Sequence, residues 1–265
     1  MRGLTVGRKN GVKTIIEEGG TALGMVCRSL SPVVVELIGL TGFDFVWVDM
    51  EHTCADFQTV ENLCRAADAA GIETLVRVPD KNDSNILRAL EAGASIVNVP
   101  RVESHDEAEA VVRAAKYHPL GERGFCSSSR GAMYGLGGGA KESFAAANER
   151  TMTMVQIEST KGVANVQEIC SVEGLDIVFV GLADLSCSLE IIGQFDHPDL
   201  ISNARKVIEV AQANGKVVAV LADKLAGAVK WVGEGARIVA CGVDIPLIGR
   251  TLLKTREEFD SLKRQ

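Results

Sequence analysis

The sequence has no C-x-x-C pair: its seven cysteines, at 27, 54, 64, 126, 170, 187 and 241, are odd in number and scattered. That pattern excludes a disulfide framework or a zinc knuckle as the organising device. Nor is there an apolar stretch near the roughly 20 residues that a membrane span requires. The first residues scatter Arg2, Arg8, Lys9 and Lys13 among glycines and polar side chains. They lack the apolar centre of a signal peptide, so the expected location is cytoplasmic. Positive charge is in deficit, with 28 Lys and Arg against 35 Asp and Glu and a net charge of -7. That balance argues against a nucleic-acid partner. The glycine run at 135–139 has no Gly-Lys-Ser/Thr ending and does not follow a strand-like run, which excludes a phosphate loop.

What the chain does have is a repeating alternation. Its 265 residues are 46% hydrophobic and 24% charged, and no linker interrupts them, so residues 1–265 read as one soluble domain. Strand-like runs rich in Val, Ile, Leu and Phe recur at Ala22–Cys27, Phe43–Asp49, Thr74–Val78, Ser95–Pro100, Met152–Glu158, Ile177–Val180, Val217–Leu221 and Arg237–Ala240. Their nearly continuous apolar character suits strands buried on both faces, as in a parallel sheet. Helix-like segments lie between most of them, at Asp56–Ala70, Ser84–Glu91, His105–Tyr117, Gly162–Ser171, Pro198–Asn214 and Asp223–Val232. Gly71, Gly93, Gly215 and Gly235 follow four of these closely, where a helix C-terminus favours glycine. Eight strands with intervening helices predict an α/β fold, a (β/α)8 TIM barrel, with a doubly wound open sheet as the rival.

One segment breaks the rhythm. Residues 118–139 are polar and glycine-rich, and long loops in compact domains are commonly functional or disordered. Arg123 and Arg130 are candidates either to anchor an anionic substrate or to fix the loop itself. Cys54 and Cys187 fall near the C-terminal strand ends, but neither has an activating partner nearby in sequence, so both read as non-nucleophilic.

The residues that carry chemistry cluster by position. His52, Arg77, Glu158 and Asp184 each sit at or just past the C-terminal end of a different strand run. In a parallel barrel those ends converge on one mouth. Glu158 and Asp184 offer hard oxygen ligands, and a sparse carboxylate pair suits a divalent cation such as Mg²⁺ with water and substrate completing its shell. Arg77 supplies fixed positive charge where an enolate oxygen develops. His52 has the intrinsic pKa to move protons near neutrality. Each also has an ordinary structural reading: Asp184 as a helix cap, Glu158 in a salt bridge, Arg77 against a buried acid, His52 as a satisfied histidine. Their joint occurrence on one face tips the balance toward chemistry on a 2-oxo acid enolate. Lys81 and Lys161 lie beyond strand ends, away from a barrel-facing position, which disfavours a Schiff-base aldolase.

The motifs Phe43–Thr53, Val76-Arg-Val-Pro79, Gly121-Glu-Arg-Gly124, Val155-Gln-Ile-Glu-Ser159 and Val178–Ser186 occur in an order that resembles the HpcH/HpaI aldolase family. The resemblance runs from about Ala22 to Asp244. It implies a class II, metal-dependent pyruvate aldolase on a (β/α)8 barrel, often a homo-oligomer, hexamer or trimer, with an exchanged C-terminal helix. It implies metal on Glu158 and Asp184, the ion being Mg²⁺ or Mn²⁺, with Co²⁺ a further option. It implies pyruvate and enolate binding by Arg77, acid/base work by His52, and Asp49 orienting and polarising that histidine. Backbone amides near Gly181, Ala183 and Asp184 would receive the pyruvate carboxylate, and Glu91, near the fourth strand, would support His52. The segment Ser127–Gly135 resembles the 2-keto-3-deoxy-glucarate aldolases more particularly.

Three departures are visible. Leu182 stands where the family has proline, Met50 where it has a small residue, and Glu91 where it commonly has aspartate. The expected activity is reversible aldol cleavage of a 4-hydroxy-2-oxo acid, including 2-keto-3-deoxy sugar acids, to pyruvate and an aldehyde. Oxaloacetate decarboxylation, a related acyl-CoA lyase activity and a noncatalytic metabolite-binding barrel are the alternatives.

Overall fold

Apolar runs too short to be helices and flanked by turn residues form the strands: β1 (Ala22–Cys27), β2 (Phe45–Asp49), β3 (Glu73–Arg77), β4 (Ile96–Val99), β5 (Met152–Ile157), β6 (Ile177–Val180), β7 (Val217–Ala222) and β8 (Ile238–Val243). In the computed structural model, which describes residues 9–136 and 139–262, they close in chain order into a parallel barrel. Arg2, Arg8 and the glycines at 137 and 138 lie outside the described residues. Every residue of β2, β3, β4, β5 and β6 is buried, as strands covered on both faces require. Alternation then sorts the side chains. Phe45, Trp47, Leu75, Ile96, Met154 and Phe179 fill the barrel, whereas Val46, Val48, Val76, Val97, Val155 and Val178 pack outward against the helices.

The helices are α1 (Gly11–Glu17), α2 (Pro32–Leu40), α3 (Phe57–Ala70), α4 (Asp83–Ala92), α5 (His105–Ala115), α6 (Ala140–Arg150), α7 (Thr160–Ala164), α8 (Val166–Cys170), α9 (Leu182–Ser188), α10 (Pro198–Ala213), α11 (Leu225–Gly233) and α12 (Asp244–Leu262). Local chemistry sets their ends. Asp56 accepts the Thr59 N–H at 2.7 Å to start α3, and Gly71 at φ 79° ends it, a conformation that costs a side chain dearly. The helix expected across 162–171 is broken into α7 and α8 at Asn165, whose side chain turns aside to donate to the Glu103 carbonyl at 2.7 Å. The strand expected at 237–240 begins one residue later and continues to Val243, its pairing with β1 shifting register between Gly24 and Val26. Among the described residues no helix is long and apolar enough to cross a membrane.

The N-terminal strand ends, the floor of the barrel, are sealed. Val12 of α1 is buried in the barrel's inner core, and the Gly11 N–H donates to the buried Glu73 carboxylate at 3.1 Å. Asn10 caps α1 through Lys13 N–H and donates to the carbonyls of Arg150 and Ser95 at 3.1 and 3.4 Å. Residues 118–136 also lie at this end: they follow the C-terminus of α5 and pack against the C-terminal ends of α3 and α4. Arg123 donates to Glu91 at 2.8 Å and stacks over Tyr117, Arg130 pairs with Asp68, and the Gly131 N–H reaches the Glu91 carbonyl at 3.0 Å. Of the two roles open to Arg123 and Arg130, the geometry within the chain is that of fixing the segment.

Asn10→Ala should lower stability by about 1–2 kcal/mol through the lost cap and bridging bonds, measured by denaturant unfolding. It should leave turnover unchanged, since the mouth is a barrel length away.

Candidate active site

At the mouth, β2 delivers Asp49 to the centre of a charge network. Its carboxylate is fully buried. One oxygen accepts Arg77 Nε at 2.9 Å and the backbone N–H groups of Glu51 and His52 at 3.1 and 3.3 Å. The other accepts Arg77 Nη2 at 2.6 Å and Arg28 Nε at 3.0 Å. Burial alone pushes the Asp49 acidity toward a raised pKa, but the two guanidiniums and the His52 amide outweigh it and hold the pKa below the ordinary value. Register explains the pairing: Asp49 and Arg77 are direct partners across β2 and β3. Arg77 Nη1 is 3.0 Å from Glu51, and its guanidinium lies 5.4 Å from the Trp47 ring centroid.

His52 stands at the rim, with its side chain 49% exposed and Nε2 3.7 Å from the Glu51 carboxylate. Asp49 reaches His52 through the backbone N–H, so the expectation that it orients the imidazole is replaced by a different role: it seats Arg77. The acid beside the imidazole is Glu51, which sequence reading passed over although it lies inside the quoted Asp49-Met-Glu-His motif. Glu91 is likewise relocated. It ends α4 at the floor, bonded to Arg123, and within one chain it does not support His52.

Across the mouth, β5 ends in Gln156 and Glu158, and β6 leads into α9. Glu158 is only 5% exposed, and its Oε1 accepts the Arg101 N–H at 2.8 Å. Burial, with the carboxylates of Asp184 and Glu51 nearby, pushes its pKa up to about 7 against the opposing pull of Arg101 and Arg77. Asp184 lies in the first turn of α9 and lines the cavity. The Gly181 N–H is taken by the Ile157 carbonyl at 3.0 Å, which removes it from the expected carboxylate-receiving set. Ala183 and Asp184, in the first helical turn, have no intrahelical acceptor for their amides. Gly181 serves another purpose: a Cβ there would sit 2.4 Å from the Glu158 Cβ and 2.7 Å from its Oε2. Leu182 begins α9 without proline's fixed φ, and Met50 is buried in the outer core.

These walls enclose a cavity of about 490 Å³ that contains His52, Arg77, Gln156, Glu158 and Asp184. Gln156 is buried with its side-chain oxygen unpartnered, as is the Trp47 indole nitrogen beside it on the cavity wall. Strand alternation could have found Gln156, since it faces inward two residues before Glu158. Among the described residues no group of three or more His, Cys, Asp or Glu has metal-holding geometry. Glu158 and Asp184 both line the cavity, and carboxylate oxygens are the donor type that suits a hard cation with open positions for water and substrate. Lys81 and Lys161 are held by Glu107 and Glu103 away from the cavity. Lys224 and Lys230 do line it, but as exposed side chains without the apolar seating that activates a Schiff-base lysine. Cys54 and Cys187 are exposed and do not line it.

Gly181→Ala should drive the Glu158 side chain from its seat while leaving the barrel folded. The expected result is a loss of Mn²⁺ affinity of about 10- to 100-fold, read by titration of the metal's paramagnetic signal.

The chain is similar in sequence and fold to known proteins. The family model described as HpcH/HpaI aldolase/citrate lyase matches residues 23–249. A 5-keto-4-deoxy-D-glucarate aldolase of Klebsiella pneumoniae is 33% identical over 250 residues, covering 94% of this chain and 96% of that protein. The crystal structure of an HpcH/HpaI aldolase from Desulfitobacterium hafniense superposes with a TM-score of 0.88 at 30% identity, over 93% of this chain and 95% of that one. A citrate synthase, SbnG, superposes with a TM-score of 0.87 at 30% identity, over 96% and 99%. With the family match spanning most of the chain and the barrel in agreement, the chain is a carbon–carbon lyase of the HpcH/HpaI aldolase/citrate lyase family.

Proposed function

We propose that this chain catalyses reversible, divalent-metal-dependent aldol cleavage of a 4-hydroxy-2-oxo acid, of the 2-keto-3-deoxy sugar acid class, to pyruvate and an aldehyde. The observation that carries the reading is the confrontation, across one cavity, of a carboxylate pair with a buried and carboxylate-seated arginine. A sugar diacid is also the substrate class named for the Klebsiella relative, a 5-keto-4-deoxy-D-glucarate aldolase.

A cation on Glu158 and Asp184 would supply Lewis acidity toward the substrate's carboxylate and ketone oxygens. The chain's own residues do the rest. The amides of Ala183 and Asp184 receive the carboxylate at the positive end of α9. His52 removes the 4-hydroxyl proton, the C3–C4 bond breaks, and its electron pair passes into the enolate as the aldehyde leaves. Arg77 holds positive charge against the enolate oxygen, and because Asp49 and Glu51 grip it, that charge is in place before reaction begins. Protonation at C3 completes pyruvate. Glu51, 3.7 Å from the imidazole, positions His52.

Assembly belongs to the same proposal. The C-terminal helix α12 presents Ile248, Leu252, Leu253 and Phe259 outward, Leu252 and Leu253 each 65% exposed. Such a face supports packing against another subunit, in a homo-oligomer of three or six chains.

Pyruvate release from 5-keto-4-deoxy-D-glucarate should vanish in EDTA-treated protein and return with Mg²⁺ or Mn²⁺; release that survives chelation overturns the metal reading. His52→Ala should lower kcat by about 10²- to 10⁴-fold in steady-state assays. Metal-free protein holds the Glu158 proton more tightly when folded than when unfolded, with a pKa of about 7 against an ordinary 4.5. Its stability should therefore fall as pH rises between those values and level off above them, and Glu158→Gln should abolish that slope in urea melts at successive pH. Leu253→Glu should shift the oligomer toward smaller species in light scattering.

A further inference from the structure

One guanidinium on the cavity wall has no part in the reaction described. Arg28 follows β1 directly, and Asp244 fixes its backbone: one carboxylate oxygen accepts the Arg28 N–H at 2.8 Å, the other the Ser29 N–H at 3.0 Å. Asp49 fixes its head, accepting Nε at 3.0 Å. The side chain is 35% exposed and lines the cavity. Its Nη1 and Nη2 have no partner among the described residues, so the end-on edge of the guanidinium stays open.

The other cations of the cavity differ. Arg77 is engaged at Nε, Nη1 and Nη2 by Asp49 and Glu51. Lys224 and Lys230 are exposed, and Lys230 lies 4.0 Å from Asp196. Only Arg28 combines a seated head with a free pair of parallel donors, the arrangement that matches a carboxylate. Sharing Asp49 also sets it directly beside Arg77. This wall, at β1 to β3, faces the Glu158 wall of β5 and β6 across the barrel, and the free edge of Arg28 lines the cavity between them.

We propose that Arg28 recognises a carboxylate carried at the far end of the acceptor half of the substrate, making the enzyme selective for 2-oxo diacids over 2-oxo monoacids. This assignment rests on the aldol reading for its orientation in the cavity, and no family motif quoted above includes the residue.

The test is a binding measurement that needs no turnover. Calorimetric titration of Mn²⁺-loaded protein would compare 2-oxoadipate with 2-oxohexanoate, two uncleavable 2-oxo acids of equal length with charged and neutral tails. Wild type should favour the diacid by about tenfold or more, as a charge-assisted bidentate contact implies. Arg28→Met should erase that preference while changing 2-oxohexanoate affinity by less than about threefold, and Arg28→Lys should keep part of it. No preference in wild type, or one that survives Arg28→Met, overturns the proposal. So does a parallel loss for both ligands, which would mean that Arg28 acts only through Asp49 and Arg77. In kinetics, kcat/KM for pyruvate addition to succinate semialdehyde should fall about tenfold or more in Arg28→Met, with butanal little affected. A diacid preference abolished by Arg28→Met, in a protein that releases no pyruvate, would sink the aldol reading and leave the carboxylate receptor standing.

Discussion

Everything at the mouth depends on one carboxylate. Asp49 is wholly buried, and that burial is tolerable only because two guanidiniums and two backbone amides meet it. Removing Arg77, the buried partner, would strand Asp49 and typically costs about 3–5 kcal/mol. The arrangement ties β1, β2 and β3 together at the point where the cavity begins. It also fixes the geometry of Arg77 and Arg28 without help from any ligand, so the cationic wall is a property of the fold.

The opposite wall works in the contrary way. Glu158 is buried beside carboxylates rather than beside matching cations, and its raised pKa records that it is uncomfortable as an anion. A fold that seats one carboxylate with surplus donors and leaves another short of them has divided its mouth into a satisfied half and a demanding half. A proton meets that demand in part, and the divalent cation we propose on Glu158 and Asp184 would meet it more fully. The missing side chain of Gly181 allows Glu158 to lie where that demand can be met.

Much of this was legible in the sequence. Eight apolar runs of strand length, most of them followed by a helix-like stretch, pointed to the barrel, and the polar residues at the ends of β2, β3 and β5 marked the mouth. What could not be read were partnerships. That Asp49 grips Arg77 rather than the His52 ring follows from strand register, which no single run encodes. Arg28 sits in what reads as a turn, and its relevance appears only when β1 is set beside β2. Glu91 stands near motif residues in sequence, but α4 carries the chain back to the floor before β4, so within one chain it lies away from His52. The break at Asn165 depends on an acceptor 62 residues away.

The tethering of that floor has an evolutionary side. Arg123 on Glu91, Arg130 on Asp68 and α1 over Glu73 hold the barrel shut at the end where no chemistry takes place. A lineage descending from this chain can therefore exchange residues such as Arg28, Leu182 or Lys224 around the rim, trading one acceptor for another. Its ability to fold is secured at the opposite pole.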